Sequence, residues 1–281
     1  MTLNAGVLYV VATPIGNLED ISARAVRILQ EVDLIAAEDT RTSLKLLRHL
    51  AIEKNLMAYH EHNELIQTDK ITTLLEDGKS VALISDAGTP LISDPGYVLV
   101  KQLINKGLKV VPIPGPSALI TALSVSGMAT DRFVFEGFLP AKNHAREEKI
   151  KTLMHETRTL VCYESRHRIQ ASLASIHAVL GERQITVCRE LTKRFETIFH
   201  GSTAEVLEWI TQKDQQKGEY VLIIEGSLGK TSNSEQEATK QLDVLLKYLG
   251  PSQAAAAVAQ LSGLKKKALY QIALTLQDNL D

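Results

Sequence analysis

The sequence predicts an α/β protein built as two α/β lobes followed by a small C-terminal helical module. Three observations predict it. Short runs rich in Val, Ile, Leu and Ala alternate with longer amphipathic segments. That rhythm breaks at PIPGPSA (Pro112 to Ala118) and then resumes. The last forty residues or so carry only helical patterning. A chain of 281 residues, 44% apolar and 23% charged, is long enough for two cored domains and an extra module.

The expected strands of the first lobe (residues 1–115) are Val7 to Ala12, Asp33 to Glu38, Asn55 to His60, Val81 to Ser85 and Lys109 to Ile113. They are near-continuously apolar, as parallel strands buried on both faces must be. Between the first two, Asp20 reads as an N-cap, with Ile21, Ala25, Ile28 and Leu29 on one helical face. At the hinge, Pro and Gly end the fifth strand and Ser117 opens a helix over Ala118 to Val125.

The second lobe (residues 116–227) contains RFVFEGF, a charged helix around Ala145 to His155, TLVCYES, a helix ending at Leu180, QITVCREL, KRFETIFHG and EYVLIIEG. The close spacing of the last three strands allows antiparallel neighbours, so a mixed sheet is expected. Residues 228–240 are polar and aperiodic and read as a linker. Residues 241–281 read as a three-helix tail suggestive of a helix-turn-helix.

Composition narrows the function. The net charge of −2 gives no bulk attraction to nucleic acid, although local patches outweigh the sum. Cys162 and Cys188 both sit in strand-like runs, which suits buried thiols better than a disulfide. No run reaches the ~18–20 apolar residues of a membrane helix. No signal peptide is expected, and a cytoplasmic location is the default.

In an open α/β sheet, ligands bind beyond the carboxyl ends of the strands. Those ends are unusually rich here: TPIGNLED, AEDTR, YHEHNE, SDAGTP and PGPS. Each alone reads as a turn. Five on one edge read as a pocket, with Gly for close approach and Pro for rigidity. Several decoys fail. No GxGxxG follows the first strand, and there is no GxSxG elbow. EGSLGKT lacks the first glycine of a phosphate loop. His60 and His62 have no accompanying ligand set, so no metal site is expected.

Taken together and in order, VATPIGNLEDIS, AEDTR, HEHN, SDAGTPLISDPG, PGPSA and EGFLP resemble the ribosomal RNA small subunit methyltransferase I family, within the tetrapyrrole-methylase type of class III methyltransferase. The resemblance spans roughly Val7 to Glu225. Thr89 stands where the tetrapyrrole enzymes place the Asp of a GDP tripeptide, which favours the RNA-modifying branch. The resemblance implies S-adenosylmethionine as cofactor, 2′-O-methylation of a cytidine ribose in 16S ribosomal RNA, the small ribosomal subunit as partner, and a homodimer.

It also implies a site. Pro14 would flank the methyl group. The loop of Ser85, Asp86, Ala87, Gly88, Thr89 and Ile92 would hold the cofactor, with Ser117 and Ala118 opposite and Tyr163 closing over the adenine. Methyl transfer needs alignment of nucleophile, carbon and sulfur, and a hydroxyl nucleophile gains from a base. Asp39 and Glu61 are the candidate bases, with Glu38 behind them and His60 also possible. Arg41 would hold the adjoining phosphate.

Charge is uneven. Met1 to Ile120 holds 11 basic and 14 acidic residues, whereas Lys142 to Arg194 holds 11 basic and 6 acidic. That excess is suited to a phosphate backbone. Arg166 and Arg168 are the expected RNA contacts, with Lys265, Lys266 and Lys267 in the tail as others. Two further readings stay open: a methylase of a small tetrapyrrole, and a non-catalytic RNA- or ribosome-binding protein on the same fold.

Overall fold

The structure, a computed structural model, describes residues 6–212, 215–227 and 232–277. It divides into two compact units, Met1–Gly226 and Ser227–Asp281.

The first unit contains two five-stranded sheets. Sheet one joins β1 (Val7–Val11), β2 (Leu34–Ala37), β3 (Leu56–Ala58), β4 (Val81–Ile84) and β5 (Lys109–Ile113), in the order β3-β2-β4-β1-β5. Every pairing is parallel. Side-chain alternation sends Tyr9, Val11, Ile35 and Ala37 to one face. There they meet Ala25, Ile28 and Leu29 of α1 (Ala23–Glu31) and Leu47 of α2 (Thr40–His49). Leu8, Ala36 and Leu83 point the other way. They meet Ile71 and Leu75 of α3 (Glu64–Glu76) and Leu99 and Leu103 of α4 (Tyr97–Asn105). Each fully buried Leu or Ile contributes roughly 1.5–3 kcal/mol. Burial on both faces is why these strands read as unbroken apolar runs.

One expected cap is corrected. Ser22, not Asp20, caps α1, its hydroxyl accepting from the Ala25 amide at 3.1 Å. Asp20 ends a short 3₁₀ turn, Leu18–Asp20, which Asn17 caps.

The hinge helix α5 (Ala118–Val125) leads to sheet two. Its strands are β6 (Phe133–Phe138), β7 (Thr159–Ser165), β8 (Gln184–Arg189), β9 (Thr197–Ser202) and β10 (Glu219–Ile224), in the order β6-β7-β10-β8-β9. Only β6 and β7 run parallel, so the sheet is mixed as expected. One face packs on α6 (Asn143–Thr152), α7 (Ile169–Leu180) and α8 (Thr203–Ile210). The other packs Val161, Cys188, Val221 and Ile223 against Ala122 and Leu123 of α5, and against Ile15 from the loop after β1. The two lobes therefore share a core at the tips of sheet one. Both cysteines are free and buried.

The second unit is a three-helix cluster of α9 (Ser232–Leu245), α10 (Pro251–Ser262) and α11 (Lys266–Gln277). The expected linker over 228–240 is corrected from Ser232 onward, where α9 begins; residues 228–231 lie outside the described residues. The helix forms because Ala238 and Leu242, one turn apart, bury against Ala254, Ala255, Val258, Leu269 and Ala273. Among the described residues, no helix is long and apolar enough to cross a membrane.

Candidate active site

The carboxyl ends of β1, β4 and β5 converge as the strand pattern requires. Thr13 and Gly88 form an isolated antiparallel bridge, amide to carbonyl at 2.8 and 3.0 Å in the two directions. The Thr13 hydroxyl also donates to the Ser85 carbonyl at 3.2 Å. Gly88 holds φ +81, a conformation that costs a residue with a Cβ roughly 1–2 kcal/mol. The Thr89 hydroxyl donates to the Pro116 carbonyl at 3.0 Å, tying this loop to the hinge. Leu91 and Ser93 also adopt positive φ, at 73° and 65°. Such strain in non-glycine residues concentrates where a loop must present a side chain in one direction.

The opposite wall comes from the second lobe. The Tyr163 hydroxyl accepts from the Leu119 amide at 3.2 Å, joining β7 to the first turn of α5. The Tyr163 ring meets Phe135 and Phe138 edge-on, with centroids 4.9 and 5.7 Å away. At the floor, the loop after β1 presses on the loop after β8. A Cβ at Gly16 would lie 2.4 Å from Lys193 Cγ and 3.1 Å from the Leu191 carbonyl. The Asn17 amide donates to the Thr192 hydroxyl at 3.1 Å. Lys193 bridges Glu190 and Glu219 at 2.9 and 2.8 Å.

These walls enclose a cleft of about 320 Å³, within the range of small-molecule sites. Asp86, Ala87, Gly88, Thr89, Ile92, Ser117, Ala118 and Tyr163 all line it. Ser117 occupies the N-cap position of α5, yet its side chain makes no capping bond. Pro14 and Ser85 line instead a smaller cavity of about 190 Å³, which also has Asp86 in its wall. The eight cleft-lining residues come together as the sequence suggested, and Pro14 and Ser85 stand one step aside.

Glu38, Asp86 and Asp94 line the cleft on the first-lobe side, and Glu164, Glu190 and Glu219 line it from the second lobe. Burial raises Glu38, Asp86 and Asp94 from their ordinary values; neighbouring carboxylates add to it, Asp39 acting on Asp86, and Glu38 with Asp86 on Asp94. Asp94 is pushed up to about 6, although a hydrogen bond with Ser85 pulls the other way. Asp94 was not among the expected site residues. The signal was in the sequence, since Ser93-Asp94 repeats Ser85-Asp86, but only the reversed backbone at Leu91 and Ser93 brings it to the cleft.

The expected bases fare differently. The Asp39 carboxylate caps α2, accepting from the Arg41 amide at 2.8 Å, and pairs with the Arg41 guanidinium at 2.8 Å. The Arg41 hydrogen bonds hold it down at about 2. Glu61 is 81% exposed and lies 3.7 Å from His62; it lines neither cavity. Arg41 lines neither cavity, and its side chain is 87% exposed despite the ion pair.

The expected RNA contacts also divide. Arg166 is exposed, and among the described residues its hydrogen bond is with its neighbour, Nε to His167 Nε2 at 3.1 Å. Arg168 is committed. It pairs at 3.1 Å with Glu164, whose side chain is wholly buried, donates to the Ser165 hydroxyl and the Leu139 carbonyl, and sits over the Phe138 ring. It is a buttress of the cleft wall. In the second unit, Lys265, Lys266 and Lys267 are all exposed at the start of α11.

The family model described as "Tetrapyrrole (Corrin/Porphyrin) Methylases" matches residues 7–207, both sheets up to α8. The chain belongs to the tetrapyrrole methylase family. A second family model, "RsmI C-terminal HTH domain", matches residues 232–277, the three-helix unit. Within the tetrapyrrole methylases, the chain is 52% identical over 272 residues to a Pasteurella multocida protein, covering 96% of this chain and 97% of that one. It is 51% identical to a Haemophilus influenzae protein, covering 98% of each. Both relatives are named ribosomal RNA small subunit methyltransferase I. Among solved structures, a cobalt precorrin-4 methyltransferase matches with a TM-score of 0.58 at 15% identity, over 78% of this chain and 95% of that one. A uroporphyrin-III-C-methyltransferase from Thermus thermophilus matches with a TM-score of 0.52 at 18% identity, over 83% and 98%. Those two share the fold. As a tetrapyrrole methylase this chain is a methyltransferase, and the family's methyl donor is S-adenosylmethionine.

The cleft suits that donor on its own chemistry. It offers aromatic surface from Tyr163 and Phe138 for an adenine, small residues at Gly88 and Ala118, and carboxylates, Glu38, Asp86 and Asp94 among them, for a sulfonium cation.

Proposed function

We propose that this chain transfers the methyl group of S-adenosylmethionine to the 2′-oxygen of a cytidine ribose in 16S ribosomal RNA of the small subunit. The observation that carries the reading is the cleft itself, where the strand tips of both lobes meet around three desolvated carboxylates. The relatives' name supplies the substrate class.

The bound donor supplies a methyl carbon already activated by its sulfonium. The chain's residues hold, orient and deprotonate. The Thr13–Gly88 bridge and the Thr89–Pro116 hydrogen bond fix the loop that faces the donor, and fixed geometry lowers the barrier by removing the entropy of alignment. Tyr163, anchored at Leu119 and flanked by two Phe rings, closes the adenine end. The ribose hydroxyl must lose a proton. A carboxylate with a pKa near the working pH takes it best, so the Glu38–Asp86–Asp94 cluster acts as base, ahead of Asp39 and Glu61. Arg41 and Arg166 present exposed guanidinium groups to the RNA backbone, and Lys265, Lys266 and Lys267 do so from the helical unit.

The protein works in the cytoplasm, where small subunits assemble. A homodimer fits the apolar side chains left exposed on adjacent helices: Leu65 and Ile66 on α3, Tyr97 and Ile104 on α4.

The test offers methyl-labelled donor with three acceptors: small subunits lacking the modification, free 16S RNA and a uroporphyrin-type tetrapyrrole. Label in 2′-O-methylcytidine after nuclease digestion is expected. Label only on the tetrapyrrole would replace the RNA reading, and label nowhere would leave a binding protein.

A further inference from the structure

The smaller cavity does something the donor cleft does not. It lies between the loop after β1 and the first turns of α2. Its walls are Thr13, Pro14, Leu18, Thr42, Ser43, Lys45, Leu46, Ser85 and Asp86, and its volume is about 190 Å³. Asp86 lines both cavities, and the Thr13–Gly88 bridge stands between them, one residue facing each. The cavity therefore opens onto the far side of the same partition that borders the donor cleft.

A second, independent observation points to a ligand. Ser43 lines this cavity, is 3% exposed, and its hydroxyl has no hydrogen-bond partner. Leaving a buried hydroxyl unmade costs about 1–3 kcal/mol, so such groups are usually satisfied by something that binds. Lys45, at the exposed rim, makes no ion pair within 4 Å among the described residues.

The lining selects the ligand class. A bare anion is disfavoured, because Asp86 is in the wall and Asp39 is hydrogen-bonded to it. A purely apolar ligand would leave the buried Ser43 hydroxyl without a partner. A nucleoside satisfies both constraints. Its sugar hydroxyls bond to the serine and threonine hydroxyls and to a carboxylate. Its flat faces pack on Pro14, Leu18 and Leu46. The phosphates that flank it in an RNA strand stay outside, by Lys45.

We infer that this cavity is the acceptor subsite, which takes one ribonucleoside of a single-stranded RNA, turned out of its stack, and sets its ribose against Asp86. The inference rests on the RNA reading above and deepens it. An enzyme acting on a nucleotide inside a folded RNA must extrude that nucleotide or find it unpaired. A pocket beside the donor cleft, reached across one shared carboxylate, gives the extruded sugar a defined place. Pro14 thereby faces the acceptor side of the partition.

Two cavity-filling variants test it. Ser43→Leu fills the cavity from α2. Leu18→Trp fills it from the 3₁₀ turn, where the side chain is already 39% exposed and the fold tolerates bulk. Three quantities are read on the full-length protein: the Kd for S-adenosylmethionine, the Kd for a cytidine-containing single-stranded oligoribonucleotide with S-adenosylhomocysteine present, and single-turnover methyl transfer to small subunits. The expected result is an unchanged donor Kd, an oligonucleotide Kd raised at least about tenfold, and transfer lowered about a hundredfold. Ser43→Ala, which removes one hydrogen bond, lowers transfer only about fivefold. A donor Kd that weakens in step with transfer would assign the cavity to the donor. An oligonucleotide Kd and transfer within twofold of wild type, in either variant with an unchanged melting temperature, would overturn the proposal. If the wild type binds the oligonucleotide but transfers nothing, the RNA-methylation reading falls while the binding comparison still decides the cavity. A wild type that binds no RNA sinks both.

Discussion

The amide of Asp39 donates to Asp86 Oδ1 at 3.0 Å, across the neighbouring tips of β2 and β4. The two carboxylates are adjacent but differ in state. Arg41 holds Asp39 at about 2, while burial raises Asp86. A proton acceptor for a hydroxyl needs the second condition, so the pair separates by mutation. Asp86→Asn should lower the methyl-transfer rate at least about a hundredfold at saturating donor and RNA, a larger loss than any in donor affinity. Asp39→Asn keeps a capping oxygen for α2 and loses only the exposed ion pair with Arg41, so it should leave stability nearly unchanged and cost at most a few-fold in rate. Single-turnover kinetics on both variants checks this; a larger loss in Asp39→Asn would return the base to β2.

The carboxylate cluster also sets a pH dependence. Asp94 titrates at about 6 in the folded protein against 3.8 unfolded. The folded state therefore holds this proton more tightly, and the Asp94 contribution to stability falls as pH rises from about 4 to about 6. Activity runs the opposite way, because the base must be ionised. The transfer rate should rise with pH, with a midpoint displaced upward from the ordinary carboxylate value by the burial of Asp86, and then level off. Asp94→Asn should displace that midpoint downward, since one like charge beside Asp86 is gone, and should raise the melting temperature at pH 8 relative to wild type. A flat rate profile from pH 5 to 9 would mean that a strongly acidic group such as Asp39 governs the reaction instead.

Arg166 and Arg168 were expected to act together on RNA without touching the cofactor. The structure separates them. Arg166→Ala should weaken RNA binding and reduce the salt dependence by about one charge, with unchanged melting. Arg168→Ala leaves the buried Glu164 carboxylate without its cation, so it should destabilise the fold by roughly 3 kcal/mol or more. It also frees Phe138, so donor affinity should fall with it. Thermal melting and donor calorimetry on the two single variants distinguish these roles.

Gly16 and Gly88 test how the lobes and loops close. Ala at Gly16 drives a Cβ onto Lys193 and onto the Leu191 carbonyl, which is backbone and yields poorly. Gly16→Ala should therefore spread the loops after β1 and β8, weaken donor binding about tenfold or more, and lower the melting temperature. Gly88→Ala meets no such wall, its nearest neighbour being 3.4 Å away. Its cost is conformational, about 1–2 kcal/mol from the left-handed backbone. Calorimetry on the pair should show the larger donor effect at Gly16.

The order of legibility follows the physics. The five strands of sheet one were readable because burial on both faces leaves an unbroken apolar signature. That the loop residues Asp86 to Thr89, Ser117 and Ala118 would line one cleft was readable because turn chemistry and a family resemblance coincide there. Asp94 was not, because its placement depends on two residues in reversed backbone, which no composition rule favours for Leu and Ser. The state of Asp39 was not, because it depends on a side chain two residues away folding back. Arg168 looked like a surface cation because its partner Glu164 is four residues earlier and its burial comes from β7 and α7 together. The start of α9 was hidden in a polar stretch where, among the described side chains, the buried anchor is Ala238, too small to register as an apolar period.

The account stands on the cleft between the two sets of strand tips being the donor site. Calorimetric titration of S-adenosylmethionine into the full-length protein tests it most directly, with Ala118→Trp as the comparison, since Ala118 lines the cleft at the first turn of α5. The prediction is saturable binding of one donor per chain in the wild type and its loss in Ala118→Trp at an unchanged melting temperature. Folded wild-type protein that takes up no donor, or an Ala118→Trp protein that binds it undiminished, would contradict the account.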